Sequence, residues 1–294
     1  MPPIFMQYIG RFAPSPSGRL HFGSLVCALG SFLKARHVNG KYLLRIEDLD
    51  YYRCNSGLTK VIIDELHALG FEYDEPPYIQ SEHVSVYKEI AQELIKNKDA
   101  FYCDCSRSFL KANPCNCRQK NILPSNDLHL SLRYSISKDH QPFFYDELLG
   151  TVQSKISDNF ITLIRADKVI SYNLACVTDD ILQGITQVVR GSDLIDITTS
   201  QMCLYKSLNK KYISYLHLPL AMQDNKFKLS KQNHAKAVMD IDTPQNLLLK
   251  ALNFLGQNTT DLNKEMKVEK ILSLAVDRFE LNLIPKEPKL SPIL

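Results

Sequence analysis

Two loops and a cysteine cluster carry the residue types best suited to chemistry. The first loop, Ala13-Pro-Ser-Pro-Ser-Gly-Arg-Leu-His-Phe-Gly-Ser24, packs two prolines, two glycines and a histidine into twelve residues. His21 can donate a hydrogen bond to a phosphate oxygen, and Gly23 lets a flat base or ribose approach the backbone. Amides opening a helix at Ser24 would attract an anion. The same composition also makes an ordinary turn with a structural histidine, and it matches neither of the common phosphate-loop patterns. The second loop, Lys226-Phe-Lys-Leu-Ser-Lys-Gln-Asn233, offers Lys228, Ser230 and Lys231. An ammonium there can follow charge as it moves in phosphoryl or nucleotidyl transfer, although lysine-rich surface loops are common. The third feature is a pair of C-x-C motifs nine residues apart, Cys103, Cys105, Cys115 and Cys117. Four thiolates suit a closed, tetrahedral structural zinc site; free or redox-active thiols are the other reading.

The elements around these residues define a topology. Residues 7–12 read as a short strand that stops at the first loop, and Leu25, Leu29, Phe32 and Leu33 fall on one helical face after it. The apolar run Tyr42 to Ile46, closed by carboxylates, reads as a buried strand. Strand, loop, helix and strand make one βαβ unit, the entry to a parallel sheet, and place the first loop at the ligand-binding end of a strand. Residues 58–70 and 84–97 read as amphipathic helices. The cysteine stretch to about residue 127 reads as an insertion, followed by two strands around Ala166-Asp167-Lys168 and a strand ending at Arg190-Gly-Ser-Asp193. Thr243 and Pro244 supply an N-cap and a first-turn proline for a helix that Gly256 stops, and a second helix spans about 263–279. The tail PKEPKLSPIL is expected to be loosely held.

Composition narrows the class. The chain has 294 residues, 45% hydrophobic and 23% charged, which excludes wholesale disorder. No apolar run reaches membrane-spanning length and the N-terminus lacks a secretory pattern, so a cytoplasmic protein without membrane attachment is expected. Eight cysteines in such a compartment point to metal before disulfide, with Cys27, Cys54, Cys176 and Cys203 read mainly as small core residues. The net charge of +3 permits an RNA partner without requiring one; Lys206, Lys210 and Lys211 are either a local basic patch or a solvated helix end.

Taken together, RFAPSPSGRLHFGS and KLSKQ resemble the two signature sequences of class I aminoacyl-tRNA synthetases. RFAPSPSG with LRIEDLD is similar to the glutamyl/glutaminyl branch, and the agreement continues through YIQSE, SYNLA, VRGSD and YLHLP over roughly residues 8–235. About sixty residues follow Gln232, too few for the anticodon-binding region of a full glutamyl-tRNA synthetase. That shape, and the HFGS and SKQN forms, resemble the truncated glutamyl-Q tRNA(Asp) synthetase family. The resemblance implies an α/β fold: a Rossmann-like class I synthetase catalytic domain with a zinc-binding insertion and a small C-terminal helical subdomain. The corresponding boundaries are 1–100 and 128–240 for the two halves of the catalytic domain, 101–127 for the insertion and 241–294 for the helical subdomain.

The resemblance also implies the chemistry. Glutamate is activated by ATP, with Mg2+ on the phosphates, and transferred to queuosine at the wobble position of tRNA(Asp) by a monomeric enzyme. Arg11, Phe12, Ala13, Pro14 and Ser15 would hold glutamate, Arg190 would be a second carboxylate partner, Glu47 would take the α-ammonium, and the Tyr172 hydroxyl would line the site. The alternative for Glu47 and Arg190 is a structural ion pair. His21, Gly23, Ser24, Lys228, Ser230 and Lys231 would bind ATP, with His21 and Lys231 stabilising the transferring phosphate. In the related zinc insertion a tyrosine is a ligand; here Asn113 occupies that position and Cys115 is the natural substitute. Two other outcomes stay open: a truncated enzyme charging a tRNA 3′ end, and an inactive, zinc-containing RNA-binding paralogue.

Overall fold

The computed structural model describes residues 7–124, 129–136, 143–153, 160–223 and 236–293. Lys228, Ser230 and Lys231 therefore lie outside the described residues. The chain opens with β1 (Ile9–Phe12), α1 (Phe22–His37) and β2 (Lys41–Ile46), and β1 pairs with β2 in parallel from Ile9–Lys41 to Phe12–Leu44. This is the expected βαβ unit. Next come α2 (Gly57–Ala68), β3 (Tyr78–Ile79) and α3 (Val84–Lys96), with β3 added in parallel to the far edge of β2.

The segment that follows is antiparallel. β4 (Ala100–Cys103) leads through the short helices α4 (Arg107–Ala112) and α5 (Cys117–Lys120) to β5 (Ser131–Ser135). After the hairpin β6 (Phe143–Asp146) and β7 (Gly150–Gln153), β8 (Phe160–Ile164) closes a sheet in the order β4-β5-β8. This sheet straddles the 127/128 boundary, with Cys103 ending β4 and the other three clustered cysteines carried between β4 and β5.

α6 (Tyr172–Leu182), β9 (Gln187–Gly191), α7 (Ile195–Ser207), β10 (Ser214–Leu218) and β11 (Ala221–Met222) return the chain to parallel structure, and β10 pairs with β9 from Ser214–Gln187 to Leu218–Gly191. Thr186, just before β9, donates its amide to the Ile9 carbonyl at 2.9 Å, which seats β9 beside β1. β1 thus lies between β2 and β9, so the strand order reverses there and a crevice opens beyond the strand ends.

One expected strand is a helix. The run ISYNLACV is rich in β-formers, but Ser171 accepts from the Leu174 amide at 3.4 Å and caps α6. The turn before it forms as expected, with Lys168 at φ 68°, and the returning strand is reduced to a single Ile164–Ile170 bridge.

α8 (Pro244–Phe254) starts at the Thr243 cap, whose hydroxyl accepts from the Asn246 amide. It ends at Gly256, φ 73°, where the Gly256 and Gln257 amides donate to the Asn253 and Leu252 carbonyls. A Cβ at Gly256 would lie 2.2 Å from the Leu283 carbonyl oxygen, so this turn admits only glycine. α9 (Val268–Asp277) is shorter than expected, and β12 (Lys289–Leu290) corrects the expectation of a loose tail. β12 pairs in parallel with β11, and Ile293 beyond it is buried. The main core joins both ends of the chain: Leu25, Leu29 and Leu33 of α1 pack with Leu247, Leu248 and Leu252 of α8 and Ile271 of α9.

Candidate active site

A cavity of about 1170 Å³ opens at the carboxyl ends of β1, β2 and β9. Arg11, Phe12, Ala13, Pro14, Ser15, His21, Gly23, Ser24, Glu47, Tyr172 and Arg190 all line it, so every described residue expected to hold glutamate or ATP faces one space. Residues 161 positions apart, Arg11 and Tyr172, meet there because β1 sits between β2 and β9 and α6 begins at the rim.

The proline- and glycine-rich loop is held from three sides. Arg19 reaches Glu65 of α2 at 2.6 Å and Asp240 at 2.7 Å, the Leu20 amide donates to Glu65, and the Leu20 carbonyl accepts from the Val238 amide. His21 is the N-cap of α1, and its Nδ1 accepts from the Ser24 amide at 3.2 Å. The helix therefore starts earlier than expected, and the Ser24 amide already has an acceptor. Since Nδ1 accepts, the neutral ring carries its proton on Nε2, the nitrogen suited to donate to a phosphate oxygen.

The amino-acid side of the cavity rests on a buried charge network. Asp180 of α6 accepts from Arg45 NH2 at 2.6 Å and from Arg11 Nε at 3.4 Å. Burial would raise its carboxyl, but Arg45 and Arg11 hold it below the usual range. Arg45 also donates to Gln183 at 3.0 Å and stands 3.9 Å from Glu47. The Glu47 Oε1 atom is buried and accepts no hydrogen bond, and burial pushes its carboxyl up to about 7 against Arg45 and Arg11. A buried carboxylate oxygen without a hydrogen bond can accept one from a bound ammonium.

Arg190 is fixed differently. Its Nε donates to His217 Nε2 at 3.3 Å, and NH2 donates to Thr198 at 2.6 Å and Gln201 at 2.9 Å. NH1 meets the Tyr172 hydroxyl at 3.1 Å. Glu47 and Arg190 are thus not a structural pair: the ion-pair partner of Glu47 is Arg45, and Arg190 is surrounded by neutral acceptors. His217 receives its orientation from Asp146, which accepts from Nδ1 at 2.8 Å and from the His217 amide at 2.9 Å. Burial lowers the His217 pKa, so the imidazole is neutral with Nε2 as acceptor. With Nε and NH2 occupied, Arg190 turns its NH1 edge and the Tyr172 hydroxyl toward a ligand.

Arg45, Asp180, His217 and Asp146 were not among the expected site residues. Their signals are charge or imidazole in apolar runs: Arg45 in KYLLRI, Asp179-Asp180 within a buried helical face, and His217 in SYLHL.

The cysteine cluster lies apart from the cavity. Cys103, Cys105, Cys115 and Cys117 bring four sulfurs within 4.8 Å of one another, with Cys103–Cys115 at 3.6 Å and Cys105–Cys117 at 3.4 Å. Tetrahedral thiolates at zinc bond lengths stand about 3.8 Å apart, so the cluster fits such an ion. The eight cysteines all lie among the described residues, and none forms a disulfide. Asn113 is engaged elsewhere, donating to the Phe109 carbonyl, and Cys115 completes the group.

A family model for tRNA synthetases class I (E and Q), catalytic domain, matches residues 9–283. A glutamyl-Q tRNA(Asp) synthetase of Vibrio parahaemolyticus is 42% identical over 97% of this chain and 97% of its own length. The protein of that name from Shewanella oneidensis is 42% identical over 95% of this chain and 93% of its own. Among solved structures, a glutamate tRNA ligase from Elizabethkingia meningosepticum matches with a TM-score of 0.80 at 23% identity, covering 98% of this chain and 68% of that one. Among the described residues no helix is long and apolar enough to cross a membrane.

Proposed function

The chain belongs to the class I tRNA synthetases for glutamate and glutamine, within them to the glutamyl-Q tRNA(Asp) synthetases, and we propose that it activates glutamate with ATP and transfers it to queuosine at the wobble position of tRNA(Asp). That it is a ligase-type enzyme follows from the membership. The observation that carries the glutamate assignment is the charge pattern of the cavity: Arg11 and Arg190 supply two cations for a substrate with two carboxylates, and for its ammonium Glu47 supplies a buried oxygen that accepts no hydrogen bond within the protein. The names of relatives at this identity support the queuosine acceptor.

In the first step the glutamate α-carboxylate attacks the α-phosphorus of ATP and pyrophosphate leaves. The nucleophile is already an anion, so no general base is needed and rate comes from positioning and charge stabilisation. His21, Gly23 and the start of α1 face the phosphates, and Lys228, Ser230 and Lys231 are assigned to the same side. Mg2+ arriving with ATP supplies positive charge at the phosphates. In the second step a hydroxyl of the modified nucleoside attacks the mixed anhydride, and adenylate leaves. Zinc on the four cysteines would tie the two C-x-C turns together between β4 and β5, making residues 101–127 a cross-linked insertion.

The test supplies labelled glutamate and ATP with queuosine-containing tRNA(Asp), queuosine-free tRNA(Asp) and tRNA(Glu). Label on the queuosine-containing RNA alone is expected. Label on tRNA(Glu) would establish 3′-end charging instead, and absence of glutamate-dependent pyrophosphate exchange would establish an inactive paralogue.

A further inference from the structure

Transfer from the adenylate requires the acceptor nucleoside to reach the cavity from its mouth, and one wall of that mouth is the turn that follows β2. Leu49, Asp50, Arg53 and Cys54 line the cavity, and the Arg53 and Cys54 amides close the turn onto the Asp50 carbonyl at 2.9 and 2.8 Å. At its tip stand Tyr51 and Tyr52, 60% and 65% exposed. Their ring centroids are 4.3 Å apart and their planes are inclined by 37°. The Tyr51 hydroxyl lies 3.3 Å from that of Tyr52 and 3.4 Å from the Asp167 carbonyl oxygen, which accepts from it. Arg165, another cavity residue, braces the same junction by donating to Asp50 at 2.9 Å and pairing with Asp167 at 2.5 Å.

Two aromatic rings thus lie against each other at the rim without being buried, with Tyr51 tethered to the Asp167 carbonyl. Folding gains little from rings so exposed, whereas a planar ligand would cover them. The cation next to them in the turn, Arg53, suits a phosphate, whereas Arg165 is held by Asp50 and Asp167. A ligand that is planar, linked to phosphate and required at this mouth is a nucleobase of an RNA loop, and unstacked loop bases are commonly received on tyrosine. We propose that Tyr51 and Tyr52 form the stacking platform that receives the acceptor nucleobase, a specificity element for the transfer step. The proposal rests on the reading that the enzyme glutamylates a nucleoside within an RNA loop.

The experiment measures transfer of glutamate from preformed adenylate at varied RNA concentration for wild type, Tyr52→Ala, Tyr52→Phe and the Tyr51→Ala/Tyr52→Ala double variant. Pyrophosphate exchange on the same preparations reads the activation step separately. Loss of base stacking is expected to raise the RNA KM of the double variant by roughly ten- to a hundredfold, with the single alanine variant intermediate. Tyr52→Phe, which keeps the ring, should stay within about twofold of wild type. An unchanged RNA KM in the double variant, or an equal loss in Tyr52→Phe and Tyr52→Ala, overturns the platform. If wild type labels tRNA(Glu) and not queuosine-containing tRNA, both the wobble reading and the platform fall, because a 3′ end brings no loop base. If wild type does label the queuosine-containing RNA while the double variant keeps its KM, only the platform falls.

Discussion

A buried carboxylate, Glu47, with one oxygen that accepts no hydrogen bond sets the pH response of the site. Burial raises Glu47 to about 7, so near neutrality the empty cavity holds a mixture of carboxyl and carboxylate. Only the carboxylate accepts an ammonium. The apparent KM for glutamate should therefore rise as pH falls below about 7, approaching tenfold per unit once Glu47 is largely protonated. Glu47→Gln should flatten this profile and raise KM at alkaline pH by roughly ten- to a hundredfold, the loss of a charge-assisted hydrogen bond. Glutamate-dependent pyrophosphate exchange between about pH 6 and 8 checks both, and a pH-independent wild-type KM would contradict the ammonium assignment. The linkage sign is the reverse of a salt-bridged acid. Between the ordinary value of 4.5 and about 7 the folded state holds a proton that the unfolded chain has released, so this group's contribution to stability falls as pH rises through that window. Family resemblance, carried by the sequence motifs, pointed to Glu47, Arg11 and Arg190, and the fold brings all three to one cavity. The motifs did not identify the groups that aim these residues, because Asp180 lies 169 positions from Arg11 and His217 lies 27 from Arg190. Such partners become visible only when strands and helices are packed.

At the level of elements, the cysteine insertion is a core-poor piece whose order needs a cross-link. α4 has six residues and α5 four, and the residues between them are largely exposed, so neither helix is self-sustaining. A zinc ion on four thiolates would supply the missing stabilisation. Metal analysis of the purified chain should give one zinc per molecule. Cys115→Ser should lose that zinc to a chelator concentration that wild type withstands, while Asn113→Ala should behave as wild type. Equal retention by Cys115→Ser would remove Cys115 from the ligand set. The sequence spacing marked this cluster because C-x-C pairs act locally. It also carried β1, α1, β2, α2 and α3, where apolar periodicity and turn residues agree. It failed where local and tertiary preferences diverge: ISYNLACV has strand composition, yet Ser171 caps a helix whose Leu174, Ala175 and Val177 fill the second core cluster. The pairing of β4 with β5 was hidden for a different reason, since Ala100 meets Tyr134 across a loop that no local pattern predicts.

The molecule as a whole is organised around α1. Its N-terminus carries the His21 ring into the cavity, and its body packs against β10, where Gly30 is so close to Leu218 that a Cβ would come within 2.5 Å of Cδ1. Its other flank receives α8 and α9, and Phe22 meets Phe254 edge-on with ring centroids 5.5 Å apart. Asp240, at the entrance to this C-terminal segment, also grips Arg19 of the loop that precedes α1. The helices after residue 240 are therefore a structural support for the active-site loop rather than an appendage. Leu248 tests this, being fully buried in the shared cluster and distant in sequence from every cavity residue. Leu248→Ala should destabilise the protein by about 2–5 kcal/mol, the usual cost of a leucine-sized cavity. In a denaturant titration the loss of helical circular dichroism and the loss of pyrophosphate exchange should then move together to lower concentration, because one core carries both. If the C-terminal helices instead fold as a separate unit, the variant will split the helical transition and leave the activity transition where it was.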